Sequence, residues 1–194
     1  IKGILYLDKY INNKIYSLEP EFYFLYAPIG NQEQYPIFDT GEKPFLDTVF
    51  TENRFYGEDR FNDAKQLTLA LTHRIMDGIS GDDLFQGTIA QIIFFDDRDV
   101  NLESNKKLHS DASNLIAYAD AKLSNYSNIS AVSVFNPHAG HGEENVIKYR
   151  YSKLQDGSQK LLNADYRFKR GNEEEVDLSG VYPLNKYLTV VGKY

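Results

Sequence analysis

In the last third of the chain apolar and polar side chains change places at almost every step. Ile147, Tyr149 and Tyr151 oppose Lys148, Arg150 and Ser152; Leu162, Ala164, Tyr166 and Phe168 oppose Asn163, Asp165 and Arg167; Val176, Leu178, Gly180 and Tyr182 oppose Asp177 and Ser179. A period of two belongs to an extended strand, whose successive side chains point to opposite faces. Asp156-Gly157-Ser158 between two of these runs is a tight hairpin signal, and a short Pro183-Leu184-Asn185-Lys186 turn leads into Leu188, Val190, Gly192 and Tyr194.

The same rhythm runs through the rest. Leu18, Phe22, Phe24 and Tyr26 face away from Glu19 and Glu21, with Pro20 marking a strand start or a locally unpaired position. In Asp63 to Ile75 the row Leu67, Leu69, Leu71 and Ile75 opposes Gln66, Thr68, Thr72 and Arg74. Leu84 to Phe95 becomes apolar on both faces at its end. Leu115, Ala117, Ala119, Ala121 and Leu123 form another apolar row, and Ile129 to Phe135 follows the turn Ser124-Asn125-Tyr126-Ser127. With a frayed first strand around Gly3 to Tyr10, the expectation is roughly ten antiparallel strands and an all-β fold. The 15 Tyr and 12 Phe fit it, since aromatic and β-branched side chains favour strands.

Composition removes several classes. No cysteine is present, so neither a disulfide framework nor a thiolate metal site can form within these residues. A net charge of −7 argues against a nucleic-acid surface. No stretch of 18 apolar residues exists, which excludes a transmembrane helix but not transmembrane strands; the mean hydropathy of −0.49 suits a barrel whose every second residue is polar. The chain starts at Ile1 without an initiator Met or signal peptide, so a mature or excised fragment is expected.

Connections sort by length. They are short at 77–82, 124–127, 156–158 and 183–186, and longer at 28–62, 97–111, 136–144 and 170–175. Outer-membrane barrels have short periplasmic turns and longer extracellular loops, whereas a soluble sandwich has no reason to sort them. Alternation reports which faces differ, not which is inside, so a transmembrane barrel and a soluble β-sandwich both remain open on pattern alone. A loop as long as 28–62 is functional or disordered more often than idle. Arg54 and Arg60 carry forked donors suited to Asp59, Asp63 or other carboxylates, and Gly57 allows a tight bend.

An ordered series of residues adds a family. Leu18-Glu19-Pro20, Tyr26-Ala27-Pro28, Asn31-Gln32, Phe38-Asp39-Thr40, Asn53-Arg54-Phe55, Gly57, Asp59-Arg60, Asp63-Ala64, Gln66, Gln91 and Phe94-Phe95 resemble the C-terminal barrel of the LptD family, also called OstA or Imp. The resemblance implies a segment of an outer-membrane barrel of about 26 strands in a Gram-negative bacterium. Such a barrel takes lipopolysaccharide from a periplasmic bridge through a β-jellyroll and inserts it into the outer leaflet, with an LptE-like lipoprotein plug in its lumen. The jellyroll and the first and last strands forming the gate are expected to lie outside these residues. By the same resemblance the loop 28–62 folds inward towards the plug, and Asn53, Arg54, Phe55, Tyr56, Gly57, Asp59 and Arg60 are the expected partner-contact or loop-anchoring residues.

Competing chemistry is weaker. His138-Ala139-Gly140-His141 sets two imidazoles three apart, a spacing that could begin a metal site, but in a Gly-containing loop with no fixed helical face and no cysteine. Asp96-Asp97-Arg98-Asp99 and Glu173-Glu174-Glu175 invite divalent-cation bridges to lipid phosphates, yet charge runs of this kind are usually solvated loop ends. No nucleophile elbow, phosphate loop or triad spacing occurs, so no catalytic residue, cofactor or metal is expected. An outer-membrane barrel enzyme and a soluble β-sandwich binding module remain as alternatives.

Overall fold

The computed structural model describes residues 1–32, 34–102, 108–155, 158–185 and 187–194. Its strands are β1 (Lys2–Ile4), β2 (Leu7–Ile11), β3 (Lys14–Ala27), β4 (Gly41–Glu42), β5 (Phe55–Tyr56), β6 (Ala64–Asp77), β7 (Asp83–Phe94), β8 (Leu115–Ser124), β9 (Ser127–Asn136), β10 (His141–Gln155), β11 (Ser158–Lys169), β12 (Glu173–Pro183) and β13 (Thr189–Lys193), with one helical turn, α1 (Phe45–Thr48). The main sheet has 11 strands in the order β1-β3-β6-β7-β8-β9-β10-β11-β12-β13, with β2 also on β3, while β4 and β5 form a separate ribbon. The chain divides into two compact units, the first comprising Ile1–Leu5, Pro20–Leu71 and Ala90–Asn114, the second Tyr6–Glu19, Thr72–Ile89 and Leu115–Tyr194.

In the second unit the register joins the alternating rows of separate strands into continuous faces. Ala119 pairs with Ala131, Ala131 with Ile147, Ile147 with Tyr166 and Tyr166 with Val176. One residue along, Asp120, Ser130, Lys148, Asp165 and Asp177 follow one another across the same strands. A slip of one residue anywhere would exchange the two faces. The polar face bonds to itself: Arg150 Nη2 donates to Asp165 Oδ2 at 2.8 Å, Asn128 Nδ2 to Asp120 Oδ2 at 3.0 Å, and Lys122 Nζ to Asp82 Oδ2 at 2.8 Å. Ile147, Leu162, Val176 and Leu178 on the other face are exposed. A soluble sandwich would bury that apolar row and expose the polar one.

Two expectations need correction. The connections after β9 and β11 are short, four-residue and three-residue turns over 137–140 and 170–172. Gly140 and Gly171 adopt φ of +71° and +77°, which lets the chain reverse at once and start β10 and β12 earlier than the sequence suggests. The long connections are 28–63 and 95–114. The first strand is two pieces, β1 and β2, separated at Leu5 and Tyr6. Within the first unit Leu5 N–H donates to the Pro20 carbonyl at 3.0 Å; Pro20, in the middle of β3, has no N–H to return. The hairpin signal at 156–157 and Lys186 of the next turn lie outside the described residues.

The first unit has a core, and it lies on the polar side of the strands. Along β6 the residues that vanish from the surface are Ala64, Gln66, Thr68 and Ala70, while Leu69 is 44% exposed. Ala90 and Ile92 of β7 are buried too, which accounts for the apolar residues on both faces there. The long loop adds buried residues of its own to this unit, Val49 and Phe55. Thr68, 0% exposed, donates its Oγ1 to the Val49 carbonyl at 2.7 Å. Thr68→Val keeps the shape and removes the donor, stranding a buried carbonyl, so a loss of about 1–2 kcal/mol in denaturant unfolding is expected. An unchanged midpoint would show that this bond does not hold the loop to the strand.

Candidate functional site

The loop from Pro28 to Asn62 is built as a block rather than a free excursion. Gly41 pairs with Tyr56 and Glu42 with Phe55 in the β4–β5 ribbon, and Lys43 N–H continues it to the Arg54 carbonyl at 2.9 Å. Four anchors then fix the block, all from polar side chains that take the place of missing strand partners.

Asn53 and Asn62 form the first. Asn53 Nδ2 donates to the Arg60 carbonyl at 3.0 Å, its Oδ1 accepts from Asn62 N–H at 3.2 Å, and Asn62 Oδ1 accepts from Arg54 N–H at 2.8 Å. Asp59 is the second: its Oδ2 accepts the backbone N–H groups of Phe38 at 2.7 Å and Asp39 at 3.0 Å. Those bonds, Asp39's and then Phe38's, hold its carboxyl below the usual carboxylate range, with a lesser contribution from the charge of Arg60. Gly57 closes against the same segment at φ +76°; a Cβ there would lie 2.6 Å from Asp39 Oδ1 and 2.7 Å from its carbonyl oxygen.

The third anchor is Arg60, buried at 8% exposure. Its Nη1 donates to the Asp59 carbonyl at 2.9 Å and its Nη2 to the Tyr35 carbonyl at 2.7 Å. Gln32 copies a strand partner beside it, accepting Phe61 N–H at 2.9 Å and donating to the Phe61 carbonyl at 2.8 Å. The fourth ties the loop to the next one. Asp63 accepts Asp99 N–H at 2.7 Å and Val100 N–H at 3.0 Å, while Arg54 Nη2 donates to the Val100 carbonyl and to Asn101 Oδ1, the latter at 2.8 Å. The Arg54 guanidinium also lies over the Phe55 ring, 4.7 Å from its centroid; burial lowers the proton affinity of that guanidinium.

Of the residues the sequence singles out, Asn53, Arg54, Phe55, Gly57, Asp59 and Arg60 are brought together by these bonds. Phe55 is 2% exposed and Tyr56 50%, so Tyr56 is the one whose side chain faces outward. The hydrogen bonds of Arg54 and Arg60 run to carbonyl oxygens rather than to the carboxylates expected from charge. Sequence reasoning passed over Asn62 as an anchor and over the part played by Val100 and Asn101. A usable signal was the density of Asn and Gln in a segment without strand rhythm, since their amides imitate backbone partners. Among the described residues no cluster of three His, Cys, Asp or Glu is placed to hold a metal.

Comparison with known proteins places the chain. Residues 1–188 match the LptD family, described as LPS transport system D. The LPS-assembly protein LptD of Nitrosococcus oceani is 36% identical over 179 residues, covering 92% of this chain and 24% of the relative. That of Paraburkholderia xenovorans is 34% identical over 191 residues, with 93% and 24% covered, and that of Xylella fastidiosa strain 9a5c 31% over 202 residues, with 98% and 25% covered. The chain therefore spans about a quarter of the length of these curated relatives. With nearly all its residues inside the match, and an antiparallel sheet of 11 strands to carry them, the chain belongs to the LptD family.

Proposed function

We propose that this chain is part of an outer-membrane β-barrel that inserts lipopolysaccharide into the outer leaflet, and that its role is structural and conducting rather than enzymatic. In this reading the loop 28–62 lies on the lumen side of the strands and presents Tyr56 to a lipoprotein plug, while the outward row meets outer-membrane lipid. One observation carries the proposal: along β6 Leu69 and Leu71 are exposed while Ala64, Gln66, Thr68 and Ala70 are buried, Thr68 bonding to Val49 of the loop. Apolar-out, polar-in strands are the arrangement that lipid selects. The name the relatives carry, LPS-assembly protein LptD, supports the cargo. A soluble sandwich needs the opposite exposure, and none of the anchors has the geometry of a nucleophile and its base.

The test is photo-crosslinking in the intact protein in cells, with the probe at Tyr56 or at Leu69. Tyr56 is expected to capture the LptE-like lipoprotein, and Leu69 to give no lipoprotein adduct. A correctly assembled barrel in which Tyr56 captures nothing, or Leu69 captures the lipoprotein, would overturn the orientation proposed.

A further inference from the structure

A cavity of about 280 Å³ within the first unit gathers positive charge in a chain that is acidic as a whole. Lys43, Arg54 and Arg98 line it together with the amides of Asn62 and Gln66; Glu42 is the carboxylate among its described lining residues. The two guanidinium groups are incompletely used. Arg54 commits Nη2 to Val100 and Asn101, and its Nε and Nη1 are buried with no hydrogen-bond partner. Arg98 donates Nη2 to Ser110 Oγ at 2.6 Å and lies 3.7 Å from the centroid of the Phe94 ring, but its buried Nε likewise has no partner. Asp63, the carboxylate whose field both arginines feel, has both its oxygens engaged by the backbone of Asp99 and Val100.

Two half-buried like charges whose buried donors have no partner are costly unless something negative and rich in acceptors joins them. Burial, and then the repulsion of Arg54, push Arg98 down to about 10, the direction expected of a cation short of acceptors. Planar guanidinium donors match the oxygens of phosphate or carboxylate in pairs. Lys43 Nζ gives one donor to the Asn53 carbonyl at 2.8 Å and as an ammonium has two more. A phosphate needs roughly the room of two or three waters at about 30 Å³ each, well within the cavity.

We infer that this cavity binds a phosphate-type oxyanion, either free or as the phosphate monoester of a larger ligand, between Arg54, Arg98 and Lys43. The cavity and its donors carry this assignment independently of the crosslinking test above.

Binding of inorganic phosphate to the purified intact protein, followed by isothermal titration calorimetry and phosphorus NMR line width at constant ionic strength in chloride, tests it. Saturable binding is expected, weakened at least tenfold in Arg98→Gln and partly restored in Arg98→Lys; Arg150→Gln, on the exposed polar face of β10, is expected to bind like the parent. Vesicles of phosphatidic acid in phosphatidylcholine, added as competitor, separate the sources. Competition identifies a headgroup monoester, and phosphate binding without competition identifies a free anion; either supports the site. Absence of saturable phosphate binding in the parent protein overturns it, as does undiminished binding in a folded Arg98→Gln. Should Arg98→Gln fail to assemble, phosphate protection of the 28–62 loop from proteolysis in the parent protein decides: protection beyond that given by matched chloride supports the site, and equal cleavage overturns it.

Discussion

Gly57→Ala is expected to release the loop of residues 28–62 from the strands while leaving the hairpins of the second unit intact. At φ +76° an alanine carries about 1–3 kcal/mol of backbone strain, and its Cβ would sit inside contact distance of Asp39, whose backbone carbonyl cannot swing away as a side chain could. The segment 38–39 is itself fixed by Asp59, so the clash propagates to the second anchor instead of relaxing locally. Gly81 supplies the control: it has the same φ, +76°, and a methyl group there would meet nothing within 4 Å. Limited proteolysis of the assembled protein should cut Gly57→Ala within the loop much faster than the parent, with Gly81→Ala close to the parent there. Equal loop cleavage in the two variants would show that Gly57→Ala does not release the loop.

Asp63→Ala is the second large effect. It removes two charge-assisted hydrogen bonds, those to Asp99 and Val100, each of a kind worth about 1.5–3 kcal/mol. It also deprives Arg54 and Arg98 of a shared favourable charge. A total of about 3–5 kcal/mol is the scale for breaking a buried charged network from one side. Asp63→Asn retains one acceptor and should lose less. Hydrogen exchange reads this directly: the amides of Asp99 and Val100 should lose protection in Asp63→Ala and keep part of it in Asp63→Asn. Protection retained in full would mean that something other than Asp63 holds the second loop.

Much of this architecture is written locally. The alternation in residues 147–182 places β10, β11 and β12 and decides which of their faces pair, because each side chain's neighbours across the sheet follow from period and turn alone. Pro20 announced an irregularity, which is the break between β1 and β2. Gly57 announced a bend. The anchors were less legible for a physical reason: Asp63 reaches Val100 across 37 positions and Arg54 reaches Asn101 across 47, and no periodicity links them. Charge suggested arginine–carboxylate pairs, yet in a crowded loop the commonest unsatisfied groups are backbone carbonyls and amides. Arg60 accordingly meets Tyr35 and Asp59 through their carbonyls. The fate of Phe55, buried beside the exposed Tyr56, depended on a ribbon of two residues per strand, shorter than any pattern can signal.

The bond between Asp63 and Val100 has one more consequence, for the order of assembly. Residue 63 immediately precedes β6 and residue 100 follows shortly after β7, strands adjacent in the sheet, and Phe95 N–H already meets the Lys65 carbonyl at 2.8 Å. Once those strands have zipped, the ends to be joined are separated by a few residues instead of 37, so the remaining closure entropy is small. The clasp is thus easy to form late and hard to form early. Closure costs least once the hairpin is correctly registered, which makes a single carboxylate a reward for correct strand pairing.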